Sequence, residues 1–336
     1  MRISFSKSVT ESLLAKIRSG EMMSRNEKFN LIIQLSIPSI LAQVTTVLMF
    51  YIDAGMVGSL GAEPSAAIGL VEPATWLFFS LVSAVTMGFS VQVAHFIGAN
   101  DFSKARAVMR HGYIFGLCFA LFLLLITFLI GYRLPVWLGG GADIQHDATV
   151  YFLIFSLIIP FHLIEYMSAA MLKVSGDMRR PSFMAILMCV LDVIFNYFFI
   201  FPTRTVSLFG VEVTMPGLGE GVAGAALGSL LSFVCVALPL AYYAIFRSPI
   251  LSWKQDVERF VWRWQYIWNA MKIGAPMALQ YLLMNGAQLV STMIVAPLGN
   301  IAIAAHSFAI TAESLCYMPG YGISEAATTL VGQSVG

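Results

Sequence analysis

Four polar side chains interrupt long apolar runs in this chain of 336 residues. Asp53 lies in VLMFYIDAGMVGSLG, Asp192 and Asn196 lie in LDVIFNYFF, and Ser229 lies in GAALGS. A carboxylate at the centre of a bilayer costs about 3 kcal/mol on insertion scales, so such groups usually face a protein interior or a wet cavity. Two carboxylates, an amide and a hydroxyl form an oxygen-rich set that suits a sodium ion or a shared proton.

The spacing of these residues suggests how a bound cation could be coupled to movement. Asp192 and Asn196 are four residues apart and therefore share one face of a helix. Pro38 precedes Asp53 in the same apolar run, where it removes a backbone hydrogen bond and permits a bend. A proton or sodium ion that neutralises the cluster would favour one bend, and its release would favour the other. The alternative is that both carboxylates only hydrogen-bond to stabilise packing.

Four amide side chains in the apolar runs are candidates for lining a central cavity. They are Gln43, Gln280, Asn285 and Gln288. Amides in membrane helices also serve as hydrogen-bonding contacts between helices, so both roles stay open.

The composition places the chain in a membrane. Hydrophobic residues make up 58% and charged residues 11% of the sequence, and the mean hydropathy is +0.80, whereas soluble domains carry about 25% charged residues. The net charge of +1 gives no indication of a nucleic-acid partner. The four cysteines lie singly without CxxC spacing, which predicts small buried side chains rather than a metal or disulfide site.

Eight apolar stretches are each long enough to cross a bilayer, which requires roughly 20 residues. Their approximate limits are 31–59, 66–98, 111–138, 148–174, 181–201, 219–246, 267–297 and 302–334. Of the 19 Lys and Arg residues, only Arg133 and Arg204 fall on the side opposite the N-terminus. This distribution predicts a multi-pass protein of the inner or plasma membrane with a cytoplasmic N-terminus.

The breaks between the stretches predict the organisation of the chain. Residues 1–30 contain no signal peptide and are expected to form a frayed cytoplasmic tail near the headgroups, although ESLLAKI could form one or two amphipathic turns. Residues 31–246 would form a lobe of six helices, and residues 202–220 a hairpin-like loop within it. Residues 247–268 combine basic residues with tryptophans and predict an interfacial cytoplasmic linker. Residues 269–336 would begin a second lobe.

The second lobe is predicted from an internal repeat. When helices seven and eight are laid on helices one and two without a gap, Pro276 falls on Pro38, the LG at 298–299 on that at 60–61, and Gly336 on Gly98. Parallel repeats are a recurrent transporter architecture, with the site at their interface. Because the second unit stops after two helices, we expect four further helices to be missing.

Several motifs in order resemble the multidrug and toxic compound extrusion (MATE) transporters. They are YIDAGMVGSLG, VSGDMRRP, LDVIFNYFFIF, GVAGAALGS and AESLCYMPGYGISEAATTLVGQSVG. The resemblance implies an all-α membrane protein of the twelve-helix family, of which this chain would supply a six-helix lobe and the first two helices of the other. It further implies antiport of drugs or organic cations against H⁺ or Na⁺ by alternating access.

The resemblance also bears on individual residues. Asp53 matches the aspartate that is typical of the family's first helix. One branch of the family carries Asn-x-x-x-Asp in the fifth helix, whereas this chain has Asp192-x-x-x-Asn196, and Ser229 stands where threonine is common. The resemblance therefore implies a sodium site at Asp53, Asp192 and Asn196. Because the aspartate and the asparagine of the fifth helix have changed places, the identity of the coupling ion, H⁺ or Na⁺, stays open. Glu325 lies in the GISEAATT motif without an assigned role.

Two other classes of function compete with drug export. A lipid-linked oligosaccharide flippase of the same superfamily would require cationic residues in its cavity, and the spans contain almost none. A membrane-embedded enzyme that binds diphosphate through Mg²⁺ needs clustered carboxylates, which Asp192 lacks within its own turn. HExxH, GxSxG and Walker A motifs are absent. The sequence thus predicts a transporter without a cofactor, whose partners are the bilayer and small amphipathic or cationic compounds.

Overall fold

The computed structural model describes residues 7–208, 211–255 and 260–335. Parts of four predicted segments lie outside the described residues: 1–6 of the tail, 209–210 of the hairpin-like loop, 256–259 of the linker, and Gly336. Within the described part, long helices dominate and one antiparallel strand pair accompanies them. The prediction of an essentially all-α membrane protein is confirmed.

Ten α-helices follow the N-terminal segment in the described part of the chain. They are α2 (Arg25–Gly58), α3 (Ala62–Gly98), α4 (Phe102–Gly131), α5 (Leu134–Trp137), α6 (Gln145–Ser156), α7 (Ile158–Val174), α8 (Arg179–Ile200), α9 (Gly221–Phe246), α10 (Trp264–Val295) and α11 (Asn300–Val335). Among the residues that the structure describes, six helices are long and apolar enough to cross a bilayer. Two further spans are possible if α6 with α7, bent by 41°, and the two halves of α11, bent by 42°, each count as one.

The predicted limits of the apolar stretches are too narrow at several helix starts. For example, α2 begins at Arg25 rather than near 31, because Ser24 and Glu27 form a capping box that satisfies the first backbone N–H groups. Similarly, Asp101 accepts a hydrogen bond from the Lys104 N–H at the start of α4. The ammonium of Lys104 also bonds to Asp101 and lowers the pKa of that carboxyl. Polar caps extend these helices beyond the apolar core, which hydropathy alone does not reveal.

The N-terminal segment corrects the expectation of a frayed tail. Residues Lys7–Arg18 form a helix, α1, in which Leu13 and Leu14 are only 5% and 2% exposed. They pack in a cluster with side chains from α2, α8's N-terminal cap and α11, namely Leu31, Leu35, Met178 and Ala326. Because these partners come from distant parts of the sequence, the local pattern of ESLLAKI could not predict the packing.

The hairpin-like loop forms strands β1 (Pro202–Leu208) and β2 (Val211–Leu218), paired antiparallel between α8 and α9.

The described part of the predicted linker is attached to the start of α4. Arg106 and Arg110 donate to the carbonyls of Ile250 and Trp253, both at 3.1 Å. The last residues of the predicted linker, from Trp264 onward, form the first turn of α10.

A lipid-facing surface is visible on α4. Leu117, Leu121, Leu125 and Leu129 follow each other at intervals of one helical turn and are 38%, 51%, 58% and 72% exposed. Exposed apolar side chains in such a continuous row are expected where a helix meets hydrocarbon rather than water.

The last helix lies close to α2 along its length. A Cβ atom at Gly322 would come within 2.7 Å of the backbone nitrogen of Ile40, so only glycine allows this approach. Gly320, on the same helix, has nothing within 4 Å of the corresponding position. The pair provides a test of the packing between α11 and α2.

We expect Gly322→Ala to lower the Tm of the purified protein by about 2–6 °C, since an added methyl group would force two helix backbones apart. Gly320→Ala is the matched control, because it gains the same helix propensity without the contact. The measurement is thermal unfolding in detergent. Equal Tm values for both variants would show that α11 does not pack on α2 in this way.

Candidate functional site

The candidate site lies where α2, α8 and α9 meet, and Asn196 links its two carboxylates. The Asn196 Nδ2 group donates to Asp53 Oδ1 at 3.0 Å and to Asp192 Oδ2 at 3.0 Å. The carboxyl groups of Asp53 and Asp192 also contact each other. Two carboxyl groups this close repel each other unless a proton or a cation lies with them. The geometry therefore suits a proton shared by the pair, or a cation in its place.

Helix α9 supplies the hydroxyl groups of the site. Ser232 Oγ donates to Asp192 Oδ1 at 3.1 Å and also to the carbonyl of Ser229 at 2.8 Å. The side chain of Ser229 contacts the Asp192 carboxyl as well. Asp192 and Asn196 are each 1% exposed, whereas Asp53 remains partly exposed. Asp53 is thus the more exposed member of the pair.

One amide oxygen of the site has no protein partner. Asn196 Oδ1 is buried and accepts no hydrogen bond from any residue that the structure describes. An unpaired buried carbonyl oxygen is costly, unless an ion or water completes it. This oxygen faces Gly228 of α9. The amide nitrogen faces Asp53 and Asp192, whose carboxylate oxygens are of the hard type that alkali cations prefer. The residues present are therefore compatible with sodium as well as with a proton.

A glycine makes this arrangement possible. A Cβ atom at Gly228 of α9 would lie 2.0 Å from Asn196 Oδ1 and 2.9 Å from the Asn196 backbone nitrogen. The absence of a side chain at this position lets α9 approach α8 and leaves room for the Asn196 amide.

The remaining predicted residues have different surroundings. Pro38 lies within the helix α2, and the bend that it permits stays a prediction. Asn285 is 9% exposed and donates to Ser80 Oγ of α3 at 3.2 Å, which fits the alternative of a contact between helices. For Gln43, Gln280 and Gln288, the lining of a cavity also stays a prediction.

Sequence reasoning missed three polar residues near the site. Ser232 follows Ser229 by three residues and therefore shares its helix face, a signal that was available. Glu72 of α3 accepts hydrogen bonds from Trp76 Nε1 at 3.3 Å and from Ser307 Oγ of α11 at 3.0 Å. Tyr151 interacts electrostatically with Glu72 and with both aspartates. A third carboxylate thus lies close to the Asp53 and Asp192 pair.

The long apolar helices and the pair of carboxylates between them define a polytopic membrane protein with a polar cluster between its helices. The sequence profile of the MatE family matches residues 38–198 and 276–336. The chain belongs to the MatE family.

Relatives with curated descriptions agree with this assignment. A probable multidrug resistance protein NorM of Thermotoga maritima is 27% identical over 303 residues, a match that covers 90% of this chain and 62% of the relative. The protein of the same description from Pseudomonas aeruginosa is 30% identical over 313 residues, covering 91% of this chain and 60% of the relative. The chain thus spans about three fifths of the length of these relatives.

Solved structures show the same fold. An outward-facing multidrug resistance MATE family transporter of the MOP superfamily matches with a TM-score of 0.80 at 22% identity, over 98% of this chain and 67% of that chain. A MOP superfamily transporter from Pyrococcus furiosus matches with a TM-score of 0.79 at 23% identity, over 98% of this chain and 67% of that chain. The matched proteins are membrane transporters and not enzymes.

Proposed function

We propose that this chain forms the ion-coupling part of a secondary antiporter, which exports organic cations and other amphipathic drugs in exchange for H⁺ or Na⁺. The observation that carries the proposal is the Asn196 amide that bonds to Asp53 on α2 and to Asp192 on α8. The charge state of one cluster would thereby influence the relative position of two membrane helices. Antiport requires only that the ion-bound and drug-bound states prefer different helix arrangements.

The roles of individual residues follow from their places in the cluster. Asp53 would receive the ion because it is the more exposed carboxylate. Asp192 would contribute its own negative charge to holding that ion. Asn196 would hold the two together, while Ser229 and Ser232 would orient Asp192 from α9. Pro38 would allow α2 to bend when the cluster is neutralised. Gln43, Gln280 and Gln288 remain candidates for contacts with the transported compound.

The proposal includes the organisation of the chain in the membrane. We place α2–α9 in a first lobe of six spans, in which α6 and α7 form one bent span, and α10 with α11 in a second lobe. The basic residues of the loops place the N-terminus and the starts of α4, α8 and α10 in the cytoplasm. The relatives' description as multidrug resistance proteins supports small drugs as substrates.

The experiment that tests this function measures efflux of a cationic dye from cells that produce the protein. The proton and sodium gradients are collapsed separately with selective ionophores. We expect efflux to stop with one ionophore and to persist with the other, because the single carboxylate cluster can follow only the gradient of the ion it binds. Insensitivity to both would contradict ion-coupled antiport.

Ion binding by the purified protein provides a second readout that does not depend on transport. An ion that binds the folded protein raises the Tm, and the stabilisation grows with the logarithm of the ion concentration once that concentration exceeds the Kd. We expect the Tm to respond to Na⁺ if sodium is the coupling ion, and to pH alone if it is the proton.

A further inference from the structure

Three polar side chains of α11 bind the end of α7. The Glu325 carboxylate lies 2.6 Å from the Lys173 ammonium. Thr329 Oγ1 donates to the Lys173 carbonyl at 3.1 Å, and Gln333 Nε2 donates to the Val174 carbonyl at 2.7 Å. The three α11 residues follow each other at intervals of four and so lie on one face of the helix. We call this set of contacts the inner seam.

The chemistry of a helix end explains why these contacts hold. The last four carbonyl groups of a helix have no partner within the helix and need donors from elsewhere. Thr329 and Gln333 supply such donors to α7. Thr329 is 0% and Gln333 2% exposed, and the side chains of Lys173 and Glu325 are 18% and 22% exposed. An ion pair with this little exposure is screened much less than one on an open surface.

Neighbouring elements close around the inner seam. A Cβ atom at Gly98 would come within 2.5 Å of the Gln333 carbonyl oxygen, so the end of α3 also lies against α11. Helix α1 covers the other side. Leu14 packs against Gly176, where a Cβ atom would lie 2.3 Å from Leu14 Cδ1, and it shares a cluster with Ala326 of α11.

The opposite end of α11 also contacts the first lobe, through two hydrogen bonds to carboxylates and a close approach of Ser307 to Gly69. Asn300 Nδ2 donates to Asp143 Oδ2 at 2.6 Å in an exposed position, and Ser307 donates to Glu72. Both donors are neutral groups, whereas the inner seam contains a pair of opposite charges together with two capped carbonyls. Among the described residues, the inner seam is thus where an ion pair joins α11 to the first lobe.

We propose that the inner seam is the cytoplasmic gate of the transporter, and that the Lys173–Glu325 pair sets how often this gate opens. The inference rests on the proposed alternating-access function, because an inner gate has meaning only where the two lobes separate. Opening to the cytoplasm requires α11 to leave the end of α7, which breaks the ion pair and uncovers the two carbonyls together. Glu325 thereby gains a role that its motif did not reveal.

Accessibility of a single cysteine at position 39 tests the gate. Ser39 is 1% exposed, lies beside Gly322 of α11, and directs its hydroxyl to Met178 Sδ in the N-terminal cap of α8 at 3.7 Å. Ser39→Cys therefore reports when α11 and the cap of α8, which cover this part of α2, move away from it. The native cysteines are first replaced, and inside-out vesicles are treated with a membrane-impermeant maleimide. We expect Glu325→Gln and Lys173→Gln each to accelerate labelling about five- to tenfold, in the range of typical coupling between conformational states.

Two controls and one charge exchange make the result specific. Ser19→Cys, which is exposed, reports access of the reagent and should be labelled equally in all variants. Ala105→Cys, in a fully buried position at the start of α4 on the side that the reagent reaches, should stay unlabelled unless the variant unfolds. Lys173→Glu combined with Glu325→Lys should restore slow labelling at position 39, because the attraction is recovered.

The possible outcomes separate this inference from the proposed function. Unchanged labelling at position 39 in Glu325→Gln would overturn the gate, even if drug efflux depends on an ion gradient. Faster labelling at positions 39 and 105 together would indicate unfolding and also overturn it. Conversely, the expected labelling pattern needs neither a drug nor an ion gradient, so it can appear even if antiport fails its own test.

Discussion

Replacing Asp53 by Asn is expected to reduce ion-driven dye efflux by at least about tenfold. The amide keeps an acceptor for Asn196 Nδ2 but cannot take up a proton or contribute a charge to a sodium site. Binding of the coupling ion therefore loses one of its two carboxylates while the helix packing is retained. Efflux by the variant should no longer respond to the gradient that drives the native protein.

The same change at Asp192 tests whether the pair acts as a unit. Asp192→Asn should reduce efflux about as strongly as Asp53→Asn, and the double variant should be little worse than either single variant. Residues that share one ion or proton show such non-additive effects. Asp147→Asn is the matched control, since it makes the same substitution at a carboxylate whose side chain is 51% exposed. Additive losses, or a normal ion response in Asp53→Asn, would refute the shared site.

How much of this site could be read from the sequence depends on how local its contacts are. Asp192 and Asn196 could be paired because four residues separate them on a helix. Asp53 could be joined to them because an isolated carboxylate in an apolar segment must find a polar partner. The cost of burying a carboxylate thus predicted this contact without knowledge of the fold. The structure places Asn196 within hydrogen-bond distance of both Asp53 and Asp192.

Other contacts could not be predicted because their partners come from distant helices. The hydroxyl of Ser307 meets Glu72 only after α11 has packed on α3. Ser232 is a different case, since serines in membrane helices commonly bond to a carbonyl of the preceding turn. Ser232 bonds in this way to the Ser229 carbonyl and also lies within hydrogen-bond distance of Asp192. The sequence does not show which of these two acceptors the hydroxyl meets.

The α1 helix shows the same limit for the fold. Its twelve residues contain too few apolar side chains to predict more than a short amphipathic segment. Short isolated helices are marginal in water, and most of their stability comes from tertiary packing. Here the packing surface for Leu13 and Leu14 is assembled from α2, α11 and the turn before α8. The outcome was therefore fixed by the tertiary arrangement of these elements.

Substitution of Gly228 by Ala is expected to damage the site without touching any charged group. The added methyl group would lie 2.0 Å from Asn196 Oδ1, far inside the contact distance, so Asn196 or the whole of α8 must shift. We expect a fall in Tm of about 5 °C or more and a loss of ion-driven efflux comparable with that of the aspartate variants. Thermal unfolding and dye efflux are measured on the same preparations.

Gly286→Ala is the control for this prediction, because nothing lies within 4 Å of the corresponding position on α10. A glycine-to-alanine change within a helix otherwise stabilises it by about 1 kcal/mol, so a loss at position 228 opposes the intrinsic preference. Adding Asn196→Ala to Gly228→Ala should recover part of the Tm but none of the efflux, since the steric conflict is relieved while the link between Asp53 and Asp192 is gone. Recovery of both would mean that the Asn196 amide fills space between α8 and α9 and does not couple the two carboxylates.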